Sequence, residues 1–148
     1  MPTYELTLVA EFAAAHRIRL PDGSLEPIHG HNWRVEVFLD GDRLDRTGIV
    51  ADFTQLEARL QEVVCGLHNA DLNGLPAFAG REPTTELIAR HIHDRYAPTL
   101  PSAVRVRKVR VWETARCAAA YVPDAGSRRG NALDLMKSAA IDDKLGAT

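Results

Sequence analysis

Residues 27–39 read Pro27-Ile28-His29-Gly30-His31-Asn32-Trp33-Arg34-Val35-Glu36-Val37-Phe38-Leu39, followed by Asp40-Gly41-Asp42. From Arg34 onward apolar and polar positions alternate, with Val35, Val37 and Leu39 on one face and Arg34, Glu36 and Phe38 on the other, which is the period of a strand. Asp40-Gly41-Asp42 ends it. An earlier run from Tyr4 to Phe12 alternates Leu6, Leu8 and Ala10 with Glu5, Thr7 and Val9, giving a first strand. Pro21-Asp22-Gly23-Ser24 breaks the chain between the two.

Beyond the second strand the period changes. Asp52 and Gln55 have capping-box spacing, and Phe53, Leu56, Leu60, Val63, Val64 and Leu67 recur near 3.6 residues, an amphipathic helix. Pro83-Thr84-Thr85-Glu86 starts a second helix with Leu87, Ile88, Ile92 and Tyr96 as its stripe, and Pro98 and Pro101 close it. A further strand runs from Val104 to Thr114, where the apolar positions slip from Val104 and Val106 to Val109 and Val111, the mark of a β-bulge near Arg107-Lys108. A fourth strand ends at Tyr121 and Val122. The order strand, strand, helix, helix, strand, strand predicts an α+β domain with both helices on one face of an antiparallel sheet. We place that domain at residues 1–123, with 124–148 a tail that is either disordered or docked as a short helix through Leu133, Met136 and Ala140.

The chain has 148 residues, 18 Lys plus Arg against 20 Asp plus Glu, and 45% hydrophobic residues, the balance of an ordinary globular domain. A net charge of -2 without a basic block argues against nucleic acid or anionic lipid as a partner and for a small molecule. No signal-peptide pattern and no transmembrane-length apolar run is present, so the expected location is cytoplasmic and away from membranes. Cys65 and Cys117 fit neither a disulfide framework nor a Cys-x-x-Cys metal site, and each reads as a small core residue or a bystander.

His29 and His31 flank a glycine at the start of the second strand, where i and i+2 share a face and two imidazoles can converge on one ion. The same spacing also suits a solvated or hydrogen-bonded pair. His16 reaches the same place if the two strands pair, and three imidazoles with an open fourth position form the pattern of a catalytic zinc. Glu113 shares the face of Val109 and Val111 at a strand end, either a ligand anchor or a rim carboxylate paired with an arginine such as Arg116. Glu26, three residues before His29, has the chemistry of a general acid or base but also reads as a turn residue. Glu86 and His68 have plainer readings as partners of helix termini. His91 and His93 read as surface or satisfied core residues.

Six segments occur in one order: Phe12-Ala13-Ala14-Ala15-His16, His29-Gly30-His31-Asn32, Gly48-Ile49-Val50-Ala51-Asp52-Phe53, Leu72-Asn73, Pro83-Thr84-Thr85-Glu86 and Glu113-Thr114. In this arrangement the chain resembles the 6-pyruvoyltetrahydropterin synthase and 6-carboxytetrahydropterin synthase family over residues 3 to 122. The resemblance implies a tunnelling fold: a four-stranded antiparallel sheet with two helices on one face, joined edge to edge into a barrel. It implies a homo-oligomer, a trimer or hexamer, with active sites between subunits. It implies Zn2+ bound by His16, His29 and His31, and a pterin held at its amino-pyrimidinone edge by Glu113 with the Thr84-Thr85-Glu86 segment. The implied activity is a lyase acting on the side chain of 7,8-dihydroneopterin triphosphate.

Two departures qualify the implied chemistry. Family members making the pyruvoyl or carboxy product carry a cysteine a few residues before His-Gly-His, whereas here the stretch is Gly23-Ser24-Leu25-Glu26-Pro27-Ile28. Glu26 at Glu-x-x-His-Gly-His spacing resembles the class that forms 6-hydroxymethyl-7,8-dihydropterin. The family's Asp-His pair is His68-Asn69 here, so His68 is the imidazole left for proton transfer. The alternative expectation is a zinc- and pterin-binding paralogue without turnover or with a different substrate.

Overall fold

The computed structural model describes residues 3–125. Its elements are β1 (Tyr4–His16), β2 (His29–Gly41), α1 (Phe53–Cys65), β3 (Ala70–Asp71), α2 (Thr85–Tyr96), β4 (Arg105–Thr114) and β5 (Cys117–Tyr121). The strands form one sheet in the order β3-β1-β2-β4-β5. The fold is α+β, but the sheet has five strands and is mixed, a correction to four antiparallel strands. The added strand is the two-residue β3, parallel to the end of β1 with Ala14 opposite Ala70. Asn69 creates it: at φ 58° it turns the chain out of α1, and its N–H donates to the Ala13 carbonyl at 2.6 Å. Asparagine tolerates this left-handed conformation better than most residues. The tail helix expected around Leu133, Met136 and Ala140 lies outside the described residues.

β1 and β2 form a ladder of thirteen residues each, from Tyr4 opposite Gly41 to His16 opposite His29. β1 therefore continues past Phe12, where the alternation expected from the sequence stops. Ala13-Ala14-Ala15 has no polar–apolar contrast, and pairing with Gly30–Asn32 keeps it extended. Leu8, Ala10, Phe12 and Ala14 of β1 share one buried face with Trp33, Val35, Val37 and Leu39 of β2. Val106, Val109 and Val111 of β4 complete it, even though the register jumps from Phe38 opposite Lys108 to Leu39 opposite Val106. Skipping Arg107 restores the side-chain alternation, so the expected bulge is present.

Both helices cover this face, burying Leu56, Leu60 and Val64 from α1 and Ile88, Ala89, Ile92 and Tyr96 from α2. Asp52 caps α1 by accepting from the Thr54 N–H, and Thr84 caps α2 by accepting from the Leu87 N–H. The first helix ends at Cys65, short of Leu67, which is nonetheless buried in the following turn. Cys65 and Cys117 are both exposed free thiols, so the core reading of the cysteines is set aside. Gly41 is needed where β2 passes the Val50 loop, because a Cβ there would lie 2.5 Å from Val50 Cγ1 and 3.0 Å from the Ala103 carbonyl. No helix among the described residues is long and apolar enough to cross a membrane.

On α2, the His91 ring centroid stands 5.4 Å from that of Phe78. Burial holds its pKa below the ordinary imidazole value, Arg95 adds to this and Asp94 opposes it. The folded chain thus resists a proton that the unfolded chain accepts at about 6.5. This contribution to stability is complete well above that pH and is lost as pH falls below it. Urea unfolding of wild type and His91→Gln between pH 7.5 and 5 will show a shallower loss of stability in the variant.

Candidate metal centre

The β1–β2 register decides where the histidines meet. His16 lies opposite His29, and His31 lies opposite Ala14. All three occupy the same alternation class as Trp33, Val35 and Val37, so they continue the core face to the end of the sheet. Trp33 closes the core beneath them. Its ring is 4.9 Å from that of His16 and 5.1 Å from that of His31, and its Nε1–H donates to the Ala14 carbonyl at 3.1 Å.

The three imidazoles stand 4.7 to 5.2 Å apart, centroid to centroid. His16 Nδ1 is 2.9 Å from the Pro83 carbonyl, and His29 Nδ1 is 2.9 Å from the Pro27 carbonyl. A carbonyl only accepts, so both Nδ1 atoms carry a proton, and in the neutral rings both Nε2 atoms present a lone pair. The Nε2 atoms of His16 and His31 are buried without a hydrogen-bond partner. Burial holds the His31 pKa below the ordinary imidazole value; Glu113 opposes this, and His16 and His29 reinforce it. A neutral imidazole is the form a metal ion requires.

Glu113 is brought into the same cluster, with Oε1 3.2 Å from His31 Nε2 and 3.7 Å from His16 Nε2. Its Oε2 accepts from the Thr85 hydroxyl at 2.6 Å. One ligand atom each from His16, His29, His31 and Glu113 all lie within 4.8 Å of one another. Three nitrogens and one carboxylate oxygen suit a divalent transition metal, and the two orphaned buried Nε2 atoms are what such an ion would satisfy. The residues therefore fit the group.

The other candidate residues are placed less uniformly. Glu26 Oε1 accepts from the Ile18 N–H at 3.0 Å and lies 3.9 Å from His29 Nε2, beside the cluster. Thr84 spends its hydroxyl on the α2 cap, and Glu86 is exposed in the first turn of that helix. His68 is not in the cluster of its own chain. It is exposed, and its Nδ1 accepts from the Ala13 N–H at 3.2 Å.

Sequence reasoning missed the groups that orient the ligands. The Pro27 and Pro83 carbonyls act through backbone oxygen, which no side-chain pattern announces. Asn73 clamps the residue after His16, accepting from the Arg17 N–H and donating to the Arg17 carbonyl, both at 2.9 Å. Its place in the Leu72-Asn73 segment was the available signal.

Fold and site together define a class: a small α+β domain with a three-histidine, carboxylate-backed centre at one end of its sheet. A sequence profile described as 6-pyruvoyl tetrahydropterin synthase matches residues 5–124. The chain belongs to that family. It is 34% identical over 104 residues to a dihydroneopterin monophosphate aldolase from Pyrococcus furiosus, covering 70% of this chain and 84% of that protein. It is 31% identical over 137 residues to a 6-carboxy-5,6,7,8-tetrahydropterin synthase from Bacillus subtilis, covering 86% and 91%. The structure of the Caenorhabditis elegans 6-pyruvoyl tetrahydropterin synthase superposes with a TM-score of 0.71 at 25% identity, covering 84% of this chain and 98% of that one.

The hydrogen bonds to Pro83 and Pro27 predict an unusual pair of tautomers. In metal-free protein at pH 8, nitrogen-15 spectra of the imidazoles will show His16 and His29 protonated at Nδ1. Protonation at Nε2 in either ring would contradict the orientation described here.

Proposed function

We propose that this chain is a zinc-dependent lyase that cleaves the side chain of a phosphorylated 7,8-dihydroneopterin to leave 6-hydroxymethyl-7,8-dihydropterin. The observation that carries this reading is the position of Glu26, held by the Ile18 N–H beside His29, at the edge of a cluster to which no thiol among the described residues contributes. The aldolase name of the Pyrococcus furiosus relative supports the same reaction type. It also extends the substrate from the triphosphate to the monophosphate.

His16, His29 and His31 would hold the ion, which when bound supplies Lewis acidity to the side-chain hydroxyls. Glu113, fixed by Thr85, offers a carboxylate to the two N–H groups of the amino-pyrimidinone edge, and in this proposal Thr84 and Glu86, at the start of α2, assist it. Glu26 accepts the proton of the hydroxyl on the second side-chain carbon. That oxygen becomes an aldehyde carbonyl as the bond between the first and second carbons breaks. The electron pair passes into the conjugated ring, and the first carbon then gains a proton. The products are the hydroxymethyl pterin and a phosphorylated two-carbon aldehyde.

His68 lies outside its own chain's cluster, so in this proposal it serves the site of a neighbouring copy. Two open sheet edges favour such an assembly: β5 is outermost on one side, and beyond β3 with His68 and Asn69 just before it no strand among the described residues pairs with the other edge of β1. We propose a ring joined through these edges, a trimer or a hexamer.

Mass spectrometry of the zinc-loaded protein with 7,8-dihydroneopterin monophosphate and triphosphate will detect 6-hydroxymethyl-7,8-dihydropterin. Glu26→Gln will lower kcat by about a hundred- to ten-thousandfold with zinc content unchanged. His31→Ala will lose both zinc and turnover. A carboxy product, or a Glu26→Gln variant with wild-type kcat, would overturn the assignment.

A further inference from the structure

We infer that Glu113 has two alternating uses: in the substrate-free centre it is the fourth metal ligand, and an arriving pterin draws it away to open that position. The inference rests on the three-histidine metal site proposed above and concerns how that site is regulated.

Glu113 stands in an electrostatic mismatch with the imidazoles. Glu113 Oε1 faces His31 Nε2 at 3.2 Å and His16 Nε2 at 3.7 Å, yet both nitrogens lack a hydrogen-bond partner. On His16 the proton is committed to the Pro83 carbonyl through Nδ1, so a lone pair points toward a carboxylate oxygen. Two acceptors that face each other in a partly buried site repel unless a cation lies between them. The spacing suits one. Two ligands held about 2.0–2.1 Å from a tetrahedral ion stand about 3.3–3.4 Å apart, and the two observed separations bracket that value.

Thr85 also fixes which carboxylate oxygen faces the imidazoles. Thr85 donates to Oε2 at 2.6 Å, which leaves Oε1 toward the imidazoles. The amino-pyrimidinone edge of a pterin presents two parallel N–H donors and needs both oxygens. Metal and pterin therefore compete for Glu113. Pterin binding vacates a coordination position as the side-chain hydroxyls arrive, and by linkage each ligand weakens the other's hold on this residue.

Cobalt(II) replacing zinc in the full-length chain reads this without turnover. Glu113→Gln will weaken cobalt binding at least about tenfold and alter the visible d–d bands. Side-chain-free pterin added to wild type will shift the bands in the same direction and leave those of Glu113→Gln unchanged. Circular dichroism confirms that the isosteric variant is folded. Equal cobalt affinity and spectra in wild type and Glu113→Gln, with uptake lost in His31→Ala, would overturn the Glu113 inference alone. No cobalt uptake by folded wild type would overturn the three-histidine site and the inference with it.

Discussion

The register between β1 and β2 is the constraint on which the rest depends. Side chains alternate with period 2, so a slip of one residue would move a whole strand's apolar set to the opposite face. That register puts Phe12 opposite Trp33, Ala10 opposite Val35 and Leu8 opposite Val37. Full burial of each larger apolar side chain contributes about 1.5–3 kcal/mol. The pairing that builds the core therefore also fixes His16 opposite His29 at the far end. The helices α1 and α2 cover the apolar stretch, and the imidazole rings lie where that stretch runs out.

The same arrangement sets up a tension at the sheet end. A buried polar atom without a partner costs about 1–3 kcal/mol, and this site carries two, the Nε2 atoms of His16 and His31. Trp33 below and the Pro83 carbonyl on the other ring nitrogen leave His16 little freedom to relax. Such a site is preorganised for a cation, and the proposed ion would recover the desolvation cost while stabilising the fold. Glu26 and Glu113 flank the imidazoles from two different segments, and in the proposed reaction they divide proton transfer from pterin recognition.

Much of this was legible in the chain because it rests on periodicity. The alternation of Val35, Val37 and Leu39, the stripes of both helices and the slip at Arg107 each leave a pattern in residue types, and the structure contains each corresponding element. The His-Gly-His spacing likewise placed two imidazoles on one face. What was not legible involves backbone or conformation. Ala13-Ala14-Ala15 carries no pattern of its own and is extended because β2 pairs with it. β3 exists because Asn69 adopts a left-handed turn, and the carbonyls that fix two histidine tautomers belong to prolines whose side chains do no such work. His68 stands apart from the cluster for a reason the sequence leaves open, since proximity within one chain and between copies look alike there.

Zinc K-edge absorption of the protein purified without added metal tests the central claim most directly. The expected result is about one zinc per chain with a first shell of nitrogen and oxygen near 2.0–2.1 Å, outer-shell scattering from three imidazoles, and no sulfur. A shell near 2.3 Å from thiolate, or the absence of bound metal in folded protein, would contradict it.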